Sequence, residues 1–120
     1  MRISNIVLRV SDMENALAFW RDGVGLDLSF AGDEFAFFQV GDLSLMLNVP
    51  EKFRPIDADT EIVFEVDDVR QTFAEMRDRG IPFEVELRPV TSDGERSLLA
   101  AHFRDPDGNV ASITGWVTQD

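Results

Sequence analysis

Few residues in this chain can begin a reaction. There is one histidine, His102, and no cysteine, which excludes thiol nucleophiles, thiolate metal sites and disulfides. Glu61 and Glu65 sit in the alternating segment Glu61-Ile62-Val63-Phe64-Glu65, so as a strand they share one face. His102 sits in a similar segment, Leu98–Arg104. Two carboxylates and an imidazole that converge can hold a metal ion or move a proton. A lone histidine on such a face can equally serve as a hydrogen-bonding residue or a pH-sensitive contact. No nucleophile is placed by motif around His102, so a Ser-His-Asp or Cys-His arrangement is not expected. Phe37 and Trp116 offer aromatic faces for a planar ligand, and Glu61 and Glu65 offer charge for a cationic group.

The elements that must position these groups form an internal repeat. Residues 4–12 (SNIVLRVSD) align with residues 60–68 (TEIVFEVDD) at an offset of 56, with identities at Ile6/Ile62, Val7/Val63, Val10/Val66 and Asp12/Asp68. The match continues through Ala18/Ala74, Arg21/Arg77 and Asp22/Asp78. Each copy reads as a strand, an acidic turn and a helix of about three turns. Asp12 and Asp68 are the expected N-caps, and the helices should stop near Gly23–Gly25 and near Gly80. Strands are predicted at Phe35–Val40 and Leu43–Val49 around the hairpin signal Gly41-Asp42. In the second half they are predicted at Phe83–Leu87, Leu98–Arg104 and Asn109–Thr114, the last two joined by Asp105-Pro106-Asp107-Gly108. The expected organisation is one domain over 1–120, with module 1 at about 1–50, a linker over 50–59 and module 2 at about 60–120. The fold class is α+β, built from two βαβββ modules.

Strand parity separates two faces. Ile6, Leu8 and Val10, Ile62, Phe64 and Val66, Leu43, Leu45 and Leu47, and Leu99, Ala101 and Phe103 form a wholly apolar face. They should pack beneath Ala16, Leu17, Phe19, Trp20, Phe73 and Met76. The opposite face is mixed: Asn5, Val7 and Arg9, Phe35, Phe37 and Gln39, and Ser44, Met46 and Asn48 in the first module. The second module adds Glu61, Val63 and Glu65, Ala100, His102 and Arg104, and Ser112, Thr114 and Trp116. Apolar groups with a few orienting polar ones suit a ligand pocket; the alternative is an ordinary half-exposed antiparallel sheet.

Charge narrows the partners. The 23 acidic against 11 basic residues give a formal net charge of −12 over 120 residues. Such a chain lacks the basic footprint that nucleic acid or anionic lipid demands. No apolar run approaches the roughly 18–20 residues that cross a bilayer, and a cytoplasmic protein is expected. Most of the acids fall on turns and helices, where they cap or are solvated.

The segments Asn5–Val10, Ala16–Gly25 (ALAFWRDGVG), Ile62–Val69 and His102–Asn109 (HFRDPDGN), in this order, resemble the vicinal oxygen chelate superfamily, also called glyoxalase/bleomycin resistance/dioxygenase. The likeness covers essentially the whole chain. It implies paired βαβββ modules whose mixed sheet curls around a cavity, and a homodimer. In metal-dependent members four repeat-related slots hold the ligands; here those slots carry Asn5, Met46, Glu61 and Ser112. Only Glu61 is a competent ligand for a hard or borderline divalent ion, so no cofactor is expected, and a divalent metal is the less favoured reading. The character is nearest the metal-free bleomycin-resistance-like branch. The expectation is a metal-independent small-molecule-binding protein that sequesters an antibiotic-like ligand, with binding favoured over catalysis. Its candidate ligand contacts are Asn5, Arg9, Phe37, Met46, Glu61, Glu65, His102, Ser112 and Trp116. The alternative is a lyase, isomerase or dioxygenase with a rearranged metal or acid/base site on Glu61 and His102. A third possibility is a subunit or regulator with no small-molecule role.

Overall fold

The computed structural model describes residues 1–57 and 60–118. The element order is β1 (Asn5–Arg9), α1 (Met13–Leu17), a π-helical segment (Ala18–Val24), β2 (Asp27–Ala31), β3 (Phe35–Val40), β4 (Leu43–Asn48), β5 (Glu61–Glu65), α2 (Val69–Asp78), β6 (Phe83–Ser92), β7 (Arg96–Arg104) and β8 (Val110–Thr118). These make two four-stranded sheets of identical plan, β1-β4-β3-β2 and β5-β8-β7-β6. In each, the first strand pairs in parallel with the last, and the remaining pairs are antiparallel. The α+β reading and the duplicated module are both present.

The chain divides into two compact units. Unit 1 comprises residues 1–57 together with the loop Asp105–Asn109. The described part of unit 2 is 60–104 and 110–118. The expected linker falls at the end of unit 1: residues 53–57 carry no regular structure, and 58–59 lie outside the described residues.

In unit 1, the Asp12 carboxylate accepts the Asn15 N–H at 2.9 Å and starts α1. The predicted three-turn helix is instead one short α-helix continued by the wider π-helical turns of Ala18–Val24. The N–H groups of Gly25 and Leu26 both close on the Trp20 carbonyl, with Gly25 at φ +90°. This delivers Trp20, fully buried, into a core with Leu8, Val10, Ala36, Phe38, Leu45 and Leu47. Gly41 at φ +58° occupies the first central position of the β3–β4 turn, where a type II′ hairpin requires a residue without Cβ.

In unit 2, the Asp68 carboxylate caps α2 through the Gln71 N–H at 3.1 Å. Val69, Met76, Ile81, Leu99, Ala101, Phe103, Ala111 and Ile113 are buried around that helix. Gly115 permits this packing, because a Cβ there would lie 2.8 Å from Val69 Cβ and 2.9 Å from the Val66 carbonyl oxygen. Leu8, Val10, Leu45, Leu47, Leu99, Ala101 and Phe103 are buried as parity predicts, while Ile6, Leu43, Ile62, Phe64 and Val66 are half-buried. Strand β6 runs five residues beyond the predicted Leu87. Pro89 falls within the added length; β6 is the sheet edge and absorbs the proline with register shifts between Val85 and Arg88 and between Pro89 and Thr91. Edge strands tolerate a residue that cannot donate to the ladder.

Candidate functional site

Strand register in unit 2 lines up the side chains that matter. Val63 pairs with Ser112, and Ser112 pairs with His102. Glu61 is two residues before Val63 and so shares its face. Glu61 on β5 and His102 on β7 flank β8, two strand spacings apart, or about 9–10 Å between backbones. Their side chains nevertheless meet: His102 Nδ1 and Glu61 Oε1 are 2.6 Å apart. On the same face of β8, Val110 is level with Glu61 and Ser112 with His102; Ser112 is small and 1% exposed, which leaves the diagonal between the pair unobstructed on the His102 side. Both members of the pair have about 30% exposed side chains.

The pair lies in a concavity of about 410 Å³ on this face. Its surface comes from Val63, Val90 and Leu98, the buried small residues Ala100, Ser112 and Thr114, and Arg88. That size and mixed lining match a small-molecule site. Thr114 gives its hydroxyl hydrogen to the Leu99 carbonyl at 2.8 Å, so it presents mainly its methyl group and a lone pair. With the imidazole neutral and Glu61 ionised, Nδ1–H donates to the carboxylate and Nε2 is left as an acceptor; with the imidazole charged, both nitrogens donate.

Of the sequence-predicted contacts, Glu61, His102 and Ser112 are brought together here. Glu65 is exposed, beside Thr114 in register, and does not line the concavity. Trp116 has the Arg96 guanidinium over its ring at 4.7 Å, so a side chain of the chain itself already covers that aromatic face. Asn5, Arg9, Phe37 and Met46 share one face of the unit 1 sheet, where Val7 pairs with Met46 and Met46 with Phe37. Asn5 is exposed and donates to Ser4 Oγ at 3.2 Å, while the Arg9 carbonyl accepts from Asn109 Nδ2 at 3.0 Å. Arg88 and Val90 were not among the expected contacts. They lie beyond the predicted end of β6, and recognising Pro89 as an edge-strand proline would have brought them in.

A second polar centre lies in unit 1. Asp105 is 5% exposed. Its carboxylate accepts the Trp20 indole N–H at 3.2 Å, the Asn109 amide at 2.8 Å and the backbone N–H groups of Asp107 at 3.0 Å and Asn109 at 2.8 Å. Desolvation raises its pKa above the ordinary 3.8, outweighing these hydrogen bonds, each of which lowers it. Asp107 in turn accepts the Ser11 N–H at 3.0 Å. Every oxygen of Asp105 is committed, so this centre fixes the Asp105–Asn109 loop against β1 and the first helix.

The fitness of the residues for a metal can be judged from their donors. The four repeat-related slots offer an amide already bonded to Ser4, a thioether, a hydroxyl on a buried residue and a carboxylate bonded to His102. Among the described residues no three His, Cys, Asp or Glu side chains cluster. A divalent catalytic site takes about three good protein ligands, and this donor set does not fit one.

The profile of the Glyoxalase/Bleomycin resistance protein/Dioxygenase superfamily matches residues 2–113. The metallothiol transferase FosB of Lysinibacillus sphaericus (strain C3-41) is 30% identical over 121 residues, covering 98% of this chain and 84% of that protein. Among solved structures, a glyoxalase-related enzyme from Fulvimarina pelagi superposes with a TM-score of 0.80 at 16% identity, covering 96% of this chain and 88% of the other. A lactoylglutathione lyase from Agrobacterium tumefaciens superposes with a TM-score of 0.71 at 23% identity, covering 95% and 92%. Duplicated βαβββ units and a profile spanning nearly the whole chain agree: the protein belongs to the glyoxalase/bleomycin resistance/dioxygenase superfamily.

Proposed function

We propose that this protein binds a small molecule without a metal, seating it in the unit 2 concavity against the Glu61–His102 pair. One observation carries the reading: the only good divalent-ion ligand among the four family slots is bonded to an imidazole at 2.6 Å. That hydrogen bond occupies one carboxylate oxygen, and the pair becomes an orienting hydrogen-bonding group. Ala100, Ser112 and Thr114 leave room for a flat body, with Val63, Val90 and Leu98 as apolar walls, which suits an antibiotic-like aromatic compound held for sequestration. A cytoplasmic homodimer completes the proposal. The test is elemental analysis of protein produced with Ni, Zn, Mn and Fe in the medium, beside a thermal-shift screen of aromatic antibiotics on the metal-stripped protein. Substoichiometric metal with ligand-raised Tm is expected; one tightly held metal per chain that restores ligand binding overturns the reading.

A second reading is acid–base catalysis, favoured by the open Nε2. Held by Glu61 through Nδ1, the imidazole is oriented as a general base, the geometry that such a role needs. Turnover of a bound ligand that is abolished in both Glu61→Ala and His102→Ala would select this reading over sequestration; a ligand recovered unchanged would eliminate it.

A further inference from the structure

The concavity contains one arginine. Arg88 lines it, and among the described residues Arg88 makes no hydrogen bond or ion pair. The acids nearest it along β6 are already taken. Glu84 pairs with Arg104 at 3.0 Å, and Glu86 pairs with Arg77 at 3.8 Å. Glu61, the acid in the concavity, is bonded to His102. An exposed guanidinium beside apolar walls, in a chain with a formal net charge of −12, is left to find its counter-charge elsewhere.

Register fixes where that counter-charge would sit. Arg88 stands opposite Ala100 on β7, and His102 is the next residue on the same face, about 7 Å further along the strand. A ligand lying over Ala100 therefore reaches the guanidinium at one end and His102 Nε2 at the other. Arginine's planar fork matches a carboxylate with two parallel hydrogen bonds. The apolar walls Val63, Val90 and Leu98 require the body between the ends to be hydrophobic. Glu61 limits the charge, because a dianion such as a phosphate monoester would bring its second charge close to that carboxylate without a second cation to offset it.

We propose that this site selects planar aromatic monocarboxylates, with Arg88 as the specificity-determining residue. The inference rests on the concavity being the ligand site. It reverses the cationic preference that Glu61 and Glu65 suggest in the sequence, since one is paired with His102 and the other lies outside the lining.

The experiment uses two probes of equal shape and opposite charge, 2-naphthoate and 2-naphthylmethylammonium, titrated into the isotopically labelled full chain and followed by amide NMR. The expected result is that naphthoate shifts Val63, Leu98, Ala100 and Ser112 and binds at least about tenfold tighter than the ammonium probe. Arg88→Gln should erase that preference and Arg88→Glu should invert it. Arg88 is exposed and unpartnered among the described residues, so both variants should keep the amide spectrum of the folded chain. Equal affinities for the two probes, or a preference unchanged in Arg88→Gln, overturn the assignment while leaving the site intact. Shifts from neither probe at these residues overturn the ligand site itself, and the assignment with it.

Discussion

Asp105 in unit 1 and Glu61 in unit 2 are both carboxylates beneath the same sheet plan, and they are opposites. Asp105 is 5% exposed and takes four N–H groups on two oxygens. Glu61 is half-buried and shares a single bond with His102, whose Nε2 remains open to a concavity. A saturated, buried carboxylate has no capacity left for a ligand, so it holds a loop in place. An unsaturated pair beside empty volume has that capacity. The unit 1 positions equivalent to the Glu61–His102 pair carry different side chains. Val7 pairs with Met46 and Met46 with Phe37, as Val63 pairs with Ser112 and Ser112 with His102. Asn5 and Phe37 thus stand where Glu61 and His102 stand, and Met46 fills the middle-strand position that Ser112 leaves low. The middle-strand residue differs in size between the two units, Met46 in one and Ser112 in the other, and so do the side chains that flank it.

The largest effect should come from Asp105. Asp105→Ala leaves four donors, three of them buried, without their acceptor and should lower stability by about 3–5 kcal/mol. Asp105→Asn keeps the shape but turns an NH2 toward donors, and should cost about 2 kcal/mol. Urea unfolding checks both; a loss under about 0.5 kcal/mol would remove the loop-anchoring role.

Ser112→Met copies the unit 1 arrangement into unit 2. Overpacking at this buried position should cost about 1–3 kcal/mol and separate Glu61 from His102. Imidazole NMR would detect the lost bond, and its persistence would show that the middle residue is not the determinant. Glu61→Gln should move stability by less than about 1 kcal/mol, since the pair is part-exposed. The same change should weaken binding of any cavity ligand oriented by His102 by about tenfold. A larger loss of stability than of affinity would make the pair a structural element like Asp105.

The smallest effect is in pH. The Asp105 pKa is raised in the folded chain by burial, so the native state keeps this proton to higher pH than the unfolded chain does. Its contribution is therefore fully present below the ordinary value of 3.8 and is lost as pH rises through the raised value. Asp105→Asn should remove that segment of the stability–pH curve; the same slope in the variant would assign it to other groups.

Much of this was legible in the sequence because period and caps are local. The 56-residue repeat, Asp12 and Asp68 as caps, the Gly41-Asp42 turn and the face shared by Glu61, His102 and Ser112 all follow from spacing alone. The rest depended on geometry that spacing does not carry. The π-helical turns of Ala18–Val24 read as ordinary helix because both patterns place Trp20 inward. Arg88 lay one residue past the expected strand end at Leu87, and the observed β6 continues through Pro89 because it is an edge strand. The 2.6 Å contact between Glu61 and His102 spans a whole strand, and only the sheet order reveals that β8 separates β5 from β7.

A single histidine makes one measurement decisive, because the imidazole spectrum of the untagged chain is that of His102 alone. Long-range proton–nitrogen NMR of that ring, recorded before and after one equivalent of Zn²⁺, tests whether Glu61 is paired with His102 or available to a metal. The prediction is a downfield Nδ1 proton that zinc leaves in place and that Glu61→Gln shifts. Loss of that proton with stoichiometric zinc binding, abolished in Glu61→Gln, would contradict the proposal that this site works without a metal.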